Sequence, residues 1–200
     1  MFGRILGALM FRKGVYGEVE KDTSFTSTAW LIVVVALLLS QLGAAVGKID
    51  PQNFSMGGLI IGALLGTIFG VVGFIVGVLV INFVGKTVFL AEVTADELVR
   101  TLGLASIWNA VGVLGLVGLI SQDLMCVVSP VQIIAAILGF AAWLIATKEA
   151  LDLEWLQTIV TLVIGWVIDM VIVILLAGIV GGVVAVALGL SGTAGYRKIL

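Results

Sequence analysis

Few residues in this chain could do chemistry, and one stands apart: Asp169, an acid embedded in an otherwise apolar stretch. If a helix begins at Trp155, Asp169 lies about 21 Å along it at 1.5 Å per residue, beyond the middle of a bilayer and towards its far side. A carboxyl group at that depth is costly, so it reads either as a proton relay or substrate contact or as a protonated or hydrogen-bonded acid holding neighbouring helices together. A relay needs further titratable groups, and none is close in sequence. By the same arithmetic Gln41 lies about 18 Å deep in the first apolar stretch and is the best-placed polar partner. Asn109 is shallower, and Asn82 lies near an end.

Other chemistries lack their residues. There is no histidine, hence no imidazole base and no histidine ligand for haem. Cys126 is the single cysteine, which excludes a disulfide framework and a multi-cysteine metal site and reads as a small apolar filler. Gly85-Lys86-Thr87 has the end of a phosphate-binding loop without the preceding glycine at the required spacing, and the glycine patterns of the second apolar stretch lack a strand–turn–helix setting. Serines and threonines have no base beside them. The expectation is a chain with no catalytic residues, no metal and no cofactor.

The elements that position these residues are set by where charge is missing. Of 200 residues, 62% are hydrophobic and 11% charged, with a mean hydropathy of +1.31; soluble domains carry about 25% charged residues. Residues 23–47, 51–85, 101–122, 124–147 and 170–196 hold no Asp, Glu, Lys or Arg. About 20 helical residues cross a hydrocarbon core of about 30 Å, so the pattern predicts an all-α integral membrane protein: a five-helix transmembrane bundle with spans near 29–47, 57–85, 101–120, 130–147 and 155–178. A Ser/Thr cluster caps the first span, Asp50-Pro51 makes a turn, and Lys86 to Val93 is an exposed loop. Thr94 to Glu97 forms a capping box. Ser129-Pro130 starts the fourth span, with Pro at the first helical position. The course of residues 178–190 is left open.

Ahead of the spans, residues 1–22 form an amphipathic N-terminal segment. Phe2, Ile5, Leu6, Leu9 and Met10 follow helical spacing, with Arg4, Arg12 and Lys13 adding positive charge. Such a helix lies in the headgroup layer or packs on the polar end of its own bundle. Its short, interrupted apolar stretch does not read as a cleavable signal. In the second span Gly58, Gly62, Gly66 and Gly70 recur every four residues, followed by Gly73 and Gly77, a row that lets helices approach closely. The partner would be another span, a second copy or another membrane protein. Five spans put seven Lys and Arg on the N-terminal side and three on the other, so the N-terminus is expected in the cytoplasm of a bacterial inner membrane, with the 191–200 tail opposite. Trp30, Trp143 and Trp155 then fall near the cytoplasmic interface. A net charge of −2 suggests no nucleic-acid partner.

Three segments resemble a known family. Gly14 to Val19, then Phe83 to Lys86 with Glu97 to Ser106, then Lys148 to Leu153 with Val163 to Val167 resemble bacterial members of the Yip (Ypt-interacting protein) domain family over about residues 12–180. The family usually has a glycine pair where Phe89-Leu90-Ala91 stands and a proline where Ile107-Trp108 stands. The resemblance implies five spans and a cytoplasmic N-terminus; for eukaryotic relatives it implies binding of Rab-type GTPases, which no residue here supports. The expected function is a non-enzymatic structural, membrane-organising or adaptor protein, one version of which is an accessory subunit of a larger membrane complex. The alternative is transport of a small solute, a proton or a lipid along a polar route near Asp169.

Overall fold

A computed structural model describes residues 1–46, 55–121 and 123–187, with the side chains of 169, 173, 176, 177 and 179–187 outside that description. The Asp50-Pro51 turn and the 191–200 tail therefore lie outside the described residues. What is described is helical, with no strand. Two short helices, α1 (Phe2–Leu9) and α2 (Val15–Lys21), and a single 3₁₀ turn (Thr23–Phe25) precede α3 (Thr26–Val46). Then come α4 (Met56–Phe89), α5 (Ala95–Ala105) running into a 14-residue 3₁₀ helix (Ser106–Leu119), α6 (Met125–Leu151) and α7 (Trp155–Ala187). Five helical segments are long and apolar enough to cross a membrane. The protein is a multi-pass helical membrane bundle.

Several boundaries differ from the sequence expectation. The N-terminal helix ends at Leu9, because Phe11 adopts φ 51° and Arg12 N–H turns back to the Gly7 carbonyl at 2.8 Å. Gly14, at φ 74°, then starts α2 in a left-handed conformation that suits a residue without Cβ. α4 continues past Lys86 to Phe89, so the expected 86–93 loop shrinks and Val93 is buried. At 34 residues α4 is about 51 Å long against a core of about 30 Å, and must tilt or project. The Thr94 capping box forms as expected, Glu97 N–H to Thr94 Oγ1 at 3.3 Å and Thr94 N–H to Glu97 Oε2 at 2.7 Å.

Ser129-Pro130 is not a helix start. α6 begins at Met125, and Pro130 is its sixth residue, so the missing N–H falls opposite the Cys126 carbonyl. Only the first turn escapes that loss; this proline lies one turn further in, near the end of the bundle. Cys126 itself is exposed and fills no core space.

The third span departs most from a regular helix. 3₁₀ runs longer than three or four residues are uncommon, yet 14 residues adopt this form here. Its three-residue turn stacks side chains at i and i+3, and the sequence places Gly103, Ser106, Asn109, Gly112, Gly115 and Gly118 at that interval. The resulting stripe faces α3. A Cβ on Gly43 would stand 1.8 Å from the Gly112 carbonyl oxygen; one on Gly115 would be 2.6 Å from the Gly43 oxygen, and one on Gly112 2.9 Å from Ser40 Cα. Gly103 and Gly118 bracket this seam against Ala29 and Val46, so fifteen residue steps of the third span run beside seventeen of α3. The longer 3₁₀ rise of about 2.0 Å per residue, against 1.5 Å in an α-helix, allows this match. α3 and the third span form the tightest seam of the bundle.

Candidate functional site

Around that seam the other helices pack less closely. α6 leans on the third span, whereas α7 rests mainly on α4, and the two consecutive helices touch each other less. The splay leaves two intramembrane clefts. The larger, about 660 Å³, lies between α3, the third span and α6 and includes Trp108, Asn109, Gln132 and Phe140. The smaller, about 480 Å³, includes Gln41, Ser106 and Asn109. Asn109, Trp143 and Trp166 border both. The structure thus brings together Gln41 and Asn109, two of the intramembrane polar residues singled out from the sequence, although depth along the spans matches Gln41 with Asp169 rather than with Asn109.

The row of glycines in α4 lies along the smaller cleft rather than making a continuous backbone seam. Gly66, Gly70, Gly73 and Gly77 line it. A Cβ on Gly66 would press on the Gln41 amide at 2.5 Å, and one on Gly70 on Leu37 at 3.2 Å. Gly62 and Gly77 have nothing within 4 Å of such a Cβ, and Gly58 meets only its own capping serine. The close approach expected of this row is instead made by Gly43, Gly112 and Gly115. The signal was present as an interval of three, which a search for intervals of four passes over.

The polar groups of the clefts are poorly satisfied. Gln132 Nε2 donates to the Gly112 carbonyl at 3.3 Å. The Trp108 indole N–H is buried with no acceptor, although Phe11 stacks on its ring at 5.9 Å. Among the described residues no ionisable side chain lines either cleft. Asp169 lies in α7, but its side chain falls outside the described residues. Aromatic rings fill the space between helices: Trp30 and Trp143 both meet Phe74 edge-on, at 5.7 and 6.1 Å, and Phe140 meets Trp166 at 5.0 Å. Trp30 and Trp143 are therefore joined inside the bundle, while Trp155 is exposed, with Lys148 Nζ 5.4 Å above its ring.

The N-terminal end of the bundle carries a polar cap. Arg100, only 5% exposed, donates to the Glu20 carbonyl through Nε at 2.8 Å and through a second nitrogen, and to Thr26 Oγ1 at 3.3 Å. Gly17 N–H donates to Glu149 Oε2 at 2.7 Å. Val15, Tyr16 and Val19 are buried in the same cluster as Leu98, Leu102, Ala150 and Leu151. The segments around Gly14, Glu97 and Lys148, far apart in the chain, meet here. Burial and the Glu149 carboxylate push the Tyr16 phenol above its ordinary value. Burial, then Asp152 and Glu97, raise the Glu20 carboxyl. The Ser24 hydroxyl and Arg4, which pairs with Asp22 at 2.6 Å, hold the Asp22 carboxyl low.

α1 is tied to this cap on one side only. Gly7 and Ala8 are buried, whereas Phe2, Leu6 and Met10 form an exposed stripe, 81%, 51% and 79% accessible. Arg4 pairs with Asp22 and sits over the Phe25 ring at 5.4 Å; Arg12 pairs with Glu18 at 2.6 Å, and Lys13 is exposed. One side of this segment packs on the bundle, as the second alternative expected, and the other is left bare. The chain matches no protein-family model, no curated protein and no solved structure.

Proposed function

We propose that the protein is a non-enzymatic, membrane-organising or adaptor component of the Yip-like type, with its polar cap on the cytoplasmic side of a bacterial inner membrane. The observation that carries this reading is α1: a bare apolar stripe of Phe2, Leu6 and Met10 fixed to the bundle by the Arg4–Asp22 pair and by buried Gly7 and Ala8. A helix of this kind seats its apolar side in the headgroup layer. Because it is fixed to the spans, its insertion acts on the leaflet beside the bundle or presents a set surface to another membrane protein.

The test is purification from native membranes in mild detergent, wild type beside a Leu6→Asp/Met10→Asp variant, combined with sorting between small and large vesicles. The reading expects a stoichiometric companion or a preference for small vesicles, weakened in the variant. A solitary monodisperse protein that distributes evenly in both forms removes it. A second reading, solute or lipid movement through the bundle, is favoured by Gln41 and Asn109 lining one cleft. It requires flux into liposomes that falls with Asp169→Asn, and equal flux in both forms eliminates it.

A further inference from the structure

The two clefts and their unpaired polar groups have a use that neither reading assigns. We propose that they bind an uncharged lipid whose head carries hydroxyl or ester carbonyl groups, a diacylglycerol-like molecule, which enters sideways between α6 and α7.

Four observations carry this. The volumes, about 660 and 480 Å³, are of the size that holds small ligands, about 300–1,000 Å³. Asn109 borders both clefts and Gln41 one, neither amide makes a hydrogen bond to a described residue, and the Trp108 N–H is buried without an acceptor among the described residues. Groups left unpaired where water is scarce cost several kcal/mol each, so the clefts call for a polar mate. Asn109 lies about 14 Å beyond Thr101, counting α-helical and 3₁₀ rises in turn, within the third apolar span.

The lining decides the charge of that mate. Among the described residues no Lys, Arg, Asp or Glu lines either cleft, and a charged group inside the apolar layer is costly without a counter-ion. A phosphate-bearing head is therefore disfavoured, whereas hydroxyl and ester groups can donate to and accept from the Asn109 and Gln41 amides. Two clefts that share one amide also suit a molecule with two chains leaving one small head. Phe140 and Trp166 stand on the two splayed helices with their rings in contact at 5.0 Å, so sideways entry between these helices requires the two rings to part.

The experiment uses the full chain in phosphatidylcholine nanodiscs containing a trace of diazirine-bearing diacylglycerol, with phosphatidylcholine bearing the same diazirine chain as the comparison. After illumination, labelled residues are mapped by mass spectrometry. The diacylglycerol probe is expected to label the segments around Asn109, Phe140 and Trp166 several-fold above the comparison probe. Asn109→Leu should lower that labelling about fivefold, the loss expected for one hydrogen bond, while Ile133→Ala on the exposed side of α6 leaves it unchanged. Should Asn109→Leu fail to fold, competition on the wild type decides: unlabelled diacylglycerol must displace the probe and unlabelled phosphatidylcholine must not. Equal labelling by both probes, labelling confined to the outward faces of α4 and α7, or indifference to Asn109→Leu overturns the proposal. Probe capture by a solitary protein would end the adaptor reading and leave this site standing.

Discussion

Leu90 ends α4 with φ 56°, its side chain 83% exposed. A left-handed backbone costs a residue with a Cβ about 1–2 kcal/mol, and no buried contact offsets it. Leu90→Gly should therefore stabilise the α4–α5 connection by about 1 kcal/mol, read as a higher melting temperature in detergent. A lower one would show that the leucine has a contact in the membrane. Glu20 allows a pH test. Its raised carboxyl binds a proton more readily in the folded cap than in an unfolded chain, so its charge weakens the cap at neutral pH and the weakening fades as pH falls through the raised value. Glu20→Gln keeps the carbonyl that Arg100 uses and should raise cap stability at pH 7, with the gain over wild type vanishing in mild acid. Asp22 has the opposite sign: its depressed value means a contribution held at neutral pH and lost as acid protonates it.

At the scale of elements, the seam between α3 and the 3₁₀ part of the third span decides how the bundle is held. Gly115→Ala puts a methyl 2.6 Å from the Gly43 oxygen, where only backbone could yield, and should cost about 1–3 kcal/mol. Gly62→Ala, with nothing within 4 Å, should be neutral. Thermal unfolding of the two variants side by side checks the contrast; equal effects would mean that the seam is looser than its geometry. The same seam explains what was and was not legible in the sequence. Five spans could be read because uncharged runs of that length have no other stable home, and the Thr94 start could be read because its hydrogen bonds are local. Pro130 misled because a cap is only one of the settings a proline tolerates near a helix end. The 3₁₀ helix was hidden because helix type depends on the partner's surface, here Ser40 and Gly43, which lie some seventy residues earlier. That Gln41 and Asn109 border one cleft was not legible, because depth counted along each span set Asn109 shallower and says nothing of how the spans are rotated and offset.

The whole molecule is two parts, an apolar bundle and a polar cap, joined by the buried Val15, Tyr16 and Val19 and by the hydrogen bonds of Arg100 and Glu149. Arg100→Ala removes three hydrogen bonds made by a buried guanidinium, bonds worth about 1.5–3 kcal/mol when one partner is charged. It should free α2 to hydrogen exchange, while the spans keep their helicity. Arg100→Lys should restore little, since an ammonium cannot reproduce the planar fork. Unchanged protection of α2 would mean that its apolar contacts with Leu98 and Ala150 suffice. The bond from Gly17 to Glu149 joins residues 132 positions apart. At about 5–20 residues per second of synthesis, α2 leaves the ribosome roughly 7–26 s before its acceptor is made. Through the first part of that interval Val15, Tyr16 and Val19 lack Leu98 and Leu102 as well as Ala150 and Leu151, so the nascent segment needs a temporary shelter at the membrane surface, and its final fastening to Glu149 doubles as a sign that the fourth span has been threaded.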